Sequence, residues 1–165
     1  MNDMYSIISK KQQVNDKGTM TMLDQFVKGY VACALWSSTD DQENPIDANY
    51  SVENIAHEAM ATMVEDCTKF YAENLETLKN YVKDVTEGDG EPWATAGHDF
   101  FLTRNGAGTG FWDRDGVREE TGEVLTEQSE LAGPCYLYVG DDKMIYAMWL
   151  INLEISGEFY ETNFS

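Results

Sequence analysis

The residues best equipped for proton chemistry sit in one stretch, AGHDFFLTRNGAGTGFWDRDG, residues 96–116. It holds one of the chain's two histidines, His98, beside Asp99, with Asp113, Arg114 and Asp115 further on. If the stretch folds back on itself, His98 approaches Asp113. Such an imidazole–carboxylate pair does general acid–base work near neutral pH. No serine or cysteine nucleophile is spaced to join it. The plainer reading is that His98 and Asp99 hydrogen-bond a loop or cap a strand. Arg104 and Arg114, both within the stretch, suit either ion pairing with Asp99 or Asp113, or anchoring an interface beside Trp112.

Other chemistries are excluded by spacing. Asp113 to Gly116 resembles part of a calcium loop, but counting back from Gly116 puts Phe111 at the first ligand position, and phenylalanine cannot ligate. Two histidines, the other being His57, without metal-ligand spacing argue against a transition-metal site, and no cofactor is expected. The glycines at 106, 108 and 110 lack both the GK[ST] of a P-loop and a βαβ setting. Asp141 and Asp142 read as turn formers.

The elements that must position these residues follow from periodicity. Leu23, Phe26, Val27, Tyr30, Val31, Ala34 and Leu35 share one helical face, predicting a helix over 22–36 capped by Thr21, in which Gly29 permits close packing. A polar loop follows, and Ser51 is expected to cap the next helix. From Ile55 to Val85 an apolar stripe predicts one long helix, or two joined near Asn74. After Pro92 the aromatic runs HDFFLTR and GFWDR around Asn105-Gly106 read as a hairpin. A helix is expected over 116–132 with Val117, Val124, Leu125 and Leu131 inward, then a second hairpin, CYLYV and MIYAMWLI. The segment beyond extends that hairpin's second strand or adds another. The expected fold is α+β: an antiparallel sheet of about four strands (98–103, 109–113, 135–139, 144–151) with helices packed on one face. A loosely ordered leader over 1–19 precedes a single domain over 20–165.

Charge is the strongest global property. Thirty acids against 11 bases give a formal net charge of −19 over 165 residues. Direct binding of nucleic acid through its phosphates is therefore disfavoured, and association with basic protein surfaces is favoured. Acidity alone also serves solubility. The longest apolar run, Met144 to Ile151, is far short of the ~20 residues a membrane helix needs, so no membrane partner is expected. Cys33, Cys67 and Cys135 are odd in number and widely spaced, which fits buried reduced thiols.

GHDFFLTRNGAGTGFWDR, LYVGDD, FVKGYVACALWSSTDD and NPIDANYSVENIAHEAMATMVEDCTKF resemble a recurring family of small phage and prophage proteins, over most of residues 22–146. The family usually reads DFWLTRNGHGAGFWDR. This chain has Phe101 for the tryptophan and Ala107 for the histidine, so any activity resting on that histidine would be missing. The family has no established activity. The resemblance implies a phage or mobile-element source, and hence an expected place in the cytoplasm of an infected bacterium.

Three functional expectations follow. The first is an acidic, non-enzymatic interaction protein that inhibits a host defence nuclease, of the anti-CRISPR or anti-restriction kind, by stoichiometric binding. Its carboxylates would occupy a basic groove built for DNA. The candidates are Asp40, Asp41 and Glu43 in the loop and Glu65, Asp66, Glu73 and Glu76 on the long helix, with Arg104, Trp112 and Arg114 as anchors. The second is a small hydrolase-like enzyme using His98, Asp99 and Asp113. The third is a general accessory protein that binds through the Trp112 segment.

Overall fold

A computed structural model describes residues 20–85, 91–151 and 160–163. Among these, five α-helices are followed by an antiparallel sheet: α1 Met22–Ser37, α2 His57–Glu73, α3 Leu75–Asp84, α4 Pro92–Arg104, α5 Glu119–Ala132, then β1 Cys135–Val139, β2 Ile145–Ile151 and β3 Tyr160–Asn163. The architecture is α+β and dominated by helices. The expected leader over 1–19 lies outside the described residues.

Helix α1 starts as expected. Thr21 Oγ1 accepts the Asp24 N–H at 3.1 Å, and Asp24 Oδ2 accepts the Thr21 N–H at 2.9 Å, a reciprocal capping box. The stripe from Ile55 is two helices, broken at Asn74. There the side chain turns back to donate Nδ2–H to the Phe70 carbonyl at 3.0 Å. Ser51 caps a short 3-10 turn, Val52–Asn54, and α2 begins only at His57.

The expected first hairpin is absent. Residues 98–103 lie inside α4, and 109–113 form a loop ending in a 3-10 turn, Phe111–Asp113. The sheet therefore lacks the two strands placed there, and the expectation of about four is corrected. The reason is local and tertiary together. Pro92 sits at the first helical position, where its fixed φ and missing N–H cost nothing. Helix α4 is buried on almost every side, through Trp93, Ala96, Gly97, Asp99, Phe100, Phe101, Leu102, Thr103 and Arg104. A helix buried all round carries no amphipathic stripe to reveal its period. Asn105-Gly106, the expected hairpin turn, instead closes the helix: Gly106 has φ +67°, its N–H donates to Thr103, and Ala107 N–H donates to Leu102. This is the paired bonding of a Schellman cap.

Helices α1 and α4 form the tightest pair. A Cβ on Gly29 would lie 1.9 Å from the Ala94 carbonyl oxygen, and one on Gly97 1.8 Å from that of Phe26. Each glycine lets the other helix's backbone approach. Around this crossing Phe26, Phe70 and Phe100 stack, with the rings of Phe70 and Phe100 centred 4.0 Å apart, and Tyr30 tilts against Phe100. In α5, Leu125 is buried as expected, but Val124 and Leu131 are 39% and 74% exposed.

The second hairpin is present. Cys135, Leu137, Ile145, Ala147 and Trp149 point into the core, and Tyr138 stacks on Tyr146 across the other face. Strand β3 pairs with β2 in the order β1-β2-β3.

Candidate functional site

The most concentrated polar chemistry is built around Asp99, one turn before the end of α4 and fully buried. Arg114, delivered by the loop that folds back over α4, donates Nε–H to Asp99 Oδ2 at 3.1 Å and Nη2–H to Oδ1 at 2.6 Å. Tyr81, on the inner face of α3, donates its hydroxyl to Oδ2. His98 Nδ1 lies 3.5 Å from Oδ1, and its ring stacks on Trp36 with centroids 5.9 Å apart. Two helices and one loop therefore meet at one carboxylate, and α1 joins through Trp36 on His98; Trp36, 58% exposed, marks where the cluster reaches the surface.

The electrostatics follow from that packing. Burial pushes Asp99 up, but contacts from His98, Arg114 and Tyr81 outweigh it, and the carboxyl sits below its ordinary value. Burial, then the Asp99 charge, raises Tyr81, so the phenol stays protonated and remains a donor. The hydrogen bond to Asp99 is the main cause that raises Arg114. The carboxylate is thus held ionised and committed to its partners.

Asp113, the expected partner of His98, is exposed in the 3-10 turn, and no hydrogen bond or ion pair joins it to His98 among the described residues. The imidazole's neighbouring carboxylate is Asp99. The pairing with Asp113 depends on a hairpin that does not form.

Arg104 is 3% exposed and serves the interior rather than an interface. It donates to Gly133 O at 2.7 Å and Ala132 O at 3.2 Å, closing the C-terminus of α5, and to Tyr30 Oη and Asp66 Oδ2, each at 2.8 Å. Burial works against its charge, but Tyr30 and Asp66 beside it more than compensate and raise it overall. Asp66 also accepts Trp149 Nε1–H at 2.8 Å. Arg104 and Asp66 therefore lock α1, α2, α4, α5 and β2 together.

The other candidate acids divide. Asp40 Oδ1 accepts the N–H groups of Gln42 and Asn44 at 2.9 and 3.0 Å, shaping its own turn. Asp41, Glu43, Glu65 and Glu73 are exposed, with no cation within ion-pair distance among the described residues. Glu76 pairs with Lys79 at 3.0 Å. Asp66 and Glu73 border one cleft of ≈ 270 Å³ between α2 and the end of α5, with Lys69 between them and Phe70 and Phe100 as its floor. Trp112 is 56% exposed, whereas Phe111 beside it is buried.

Sequence reading missed Tyr81 and Trp36 as members of the Asp99 cluster. The signal for a cluster was an acid followed directly by Phe100 and Phe101: an aspartate inside an aromatic helix requires a cation and donors.

The three cysteines are buried and free, and burial pushes Cys33 up to about 12 and Cys135 to about 11, which keeps both as thiols. No described helix is long and apolar enough to cross a membrane, and no described group of His, Cys, Asp and Glu is arranged to hold a metal ion. No protein-family model matches the chain, and neither the curated proteins nor the solved structures contain a significant match.

Proposed function

We propose that the protein acts by stoichiometric binding, as a phage-type acidic protein that covers a basic, DNA-engaging surface of a host defence nuclease. One observation carries the reading. All three arginines are taken up by aspartates of the chain itself, Arg104 by Asp66, Arg114 by Asp99 and Arg118 by Asp84. Surface acids such as Asp41, Glu43, Glu65 and Glu73 are left with only scattered lysines to offset them. A field of that sign steers the protein toward cationic grooves and repels nucleic acid. The phage resemblance supplies the setting in which such a groove belongs to an enemy of the phage.

The test is a DNA-cleavage assay in which restriction and CRISPR nucleases are titrated with the protein. Inhibition saturating near molar equivalence is the expected result, and it weakens as salt screens the steering. A variant carrying D41K, E43K, E65K and E73K keeps its fold, because exposed charges contribute little to stability, and loses inhibition. Asp40 and Asp66 are spared because they hold the structure.

The catalytic alternative draws on a separate observation, the partly exposed His98 imidazole beside Asp99. Substrate turnover at sub-stoichiometric protein, abolished by His98→Ala, would replace the binding reading with that one. Binding to a protein other than a nuclease, with no effect on any defence nuclease, would leave the general accessory role.

A further inference from the structure

Among the described residues β1 lies at the edge of the sheet, and half of its backbone groups have no hydrogen-bond partner there. The register pairs Cys135 with Trp149 and runs unbroken to Val139 with Ile145. Beyond it, Gly140 donates its N–H to Met144 O at 2.8 Å, so 140 and 144 form a hydrogen-bonded pair. Bonding alternates along an antiparallel ladder. Tyr138 and Tyr136 therefore turn their N–H and C=O toward β2, while Val139, Leu137 and Cys135 turn theirs away. Two bonds fix this phase independently. Cys135 N–H donates outward to Asn105 Oδ1 at 2.8 Å, and the Ile145 carbonyl, on the far side of β2, accepts Ala56 N–H at 2.8 Å. Leu137 and Val139 thus present outward N–H and C=O groups to which no described residue hydrogen-bonds.

Natural sheets blunt such an edge with charges, prolines or bulges. Cys-Tyr-Leu-Tyr-Val has no charge and no proline, and its pairing has no bulge. Beside the edge runs a groove of ≈ 340 Å³, walled by Ser38, Thr39, Asn105 and Ala107 and floored by Phe101 and Leu102. Both chain segments leaving it are acidic: Thr39 leads into Asp40, Asp41 and Glu43, and Val139 leads through Gly140 into Asp141 and Asp142, with Lys143 the one cation of those turns.

We propose that the free edge of β1 is a docking site for an extended, basic segment of a partner protein, which adds as a further strand beside Leu137 and Val139. The backbone supplies the hydrogen bonds, and the groove receives every second side chain. The acidic turns at its ends select lysine and arginine, and the chain's net charge of −19 opposes a second copy of itself in the same place. The proposal rests on the binding reading above and names its contact surface and the kind of segment bound.

The probe is a nine-residue acetylated and amidated peptide of alternating lysine and valine, added to the ¹⁵N-labelled full chain. The expected result is at least tenfold slower hydrogen exchange at the Leu137 and Val139 amides, with Tyr136 and Tyr138 unchanged. N-methylating alternate peptide residues keeps side chains and charge but removes strand donors; on the methylated set that faces β1, it should weaken binding at least tenfold. A glutamate-for-lysine peptide should not bind. Val139→Pro, placed where the missing N–H faces outward and a sheet tolerates proline, should weaken binding similarly. Should that variant fail to fold, the methylated peptides decide alone.

Equal affinity for both methylated peptides, or exchange changes confined to α2, would overturn the edge site while leaving a polyanionic binder intact. Binding of the glutamate peptide would overturn the charge selection. Protection of the Leu137 and Val139 amides in the protein alone would show the edge already covered, and so overturn the proposal. Strand addition by the lysine–valine peptide without inhibition of any nuclease would instead sink the nuclease reading and keep the edge site.

Discussion

Arg114 grips Asp99 with two nitrogens of its guanidinium, at 3.1 Å from Nε and 2.6 Å from Nη2, and so ties the loop after α4 back onto that helix. The carboxylate is fully buried, while 38% of the arginine side chain is exposed.

Removing the arginine strands a buried charge. Arg114→Ala should cost about 3 kcal/mol, the low end of the range for breaking a buried pair, since part of the guanidinium is already solvated. Chemical denaturation measures it. Because Asp99 is held below its ordinary value, its contribution is fully present above the unfolded carboxyl value, about pH 4, and is lost as pH falls through the lower folded value. Asp99→Asn should therefore be less stable than the parent at pH 7, with the gap narrowing below about pH 4. A gap that stays constant down to pH 2 would mean that Asp99 is not held ionised by its partners.

The crossing of α1 and α4 makes a second prediction. Gly97→Ala gains about 1 kcal/mol of helix propensity, yet its Cβ would sit 1.8 Å from the Phe26 carbonyl oxygen, so the helices must separate. Overpacking of this kind costs up to about 3 kcal/mol or more, so the net effect is destabilising. Gly29→Ala should behave alike. Gly106→Ala should also destabilise, but for a backbone reason, since φ is +67° there and open space surrounds it. A melting temperature raised by either α1 or α4 substitution would refute the close approach.

Arg104 closes the end of α5 and neutralises Asp66 from inside the core. Arg104→Met should cost about 3–5 kcal/mol by leaving Asp66 without its cation and two helix-terminal carbonyls without their donor. Arg104→Lys should recover only part of this, because an ammonium cannot reproduce the planar fork. Equal stability of the lysine and parent proteins in urea would contradict that geometry.

Phe111 and Trp112 should separate sharply. Phe111 is the core residue, 1% exposed, with Trp112 at 56%. Phe111→Ala should cost about 3–5 kcal/mol, and Trp112→Ala should stay within about 0.5 kcal/mol, as for other surface positions. Loss of partner capture by Trp112→Ala at unchanged melting temperature would mark it as a contact residue; equal destabilisation by the two would reverse the assignment.

Local rules determined much of this protein. The Thr21 cap, the apolar faces of α1 and α2, the break at Asn74 and the β1–β2 hairpin are set by interactions within a few residues and by one-sided burial, which writes its period into the sequence. The same holds for the acidity, which no folding changes. Helix α4 was illegible because it is central: wrapped on all sides, it needs apolar or paired residues everywhere and keeps no period, and Asn-Gly closes a helix as readily as a hairpin. Which carboxylates stay free was equally a tertiary decision. Asp66 and Glu65 are neighbours on one helix, yet only Asp66 faces Arg104 and Trp149. Asp99 met Tyr81 and Arg114 because the packing of α3 and the folded-back loop delivered them, and no spacing along the chain encodes such a meeting.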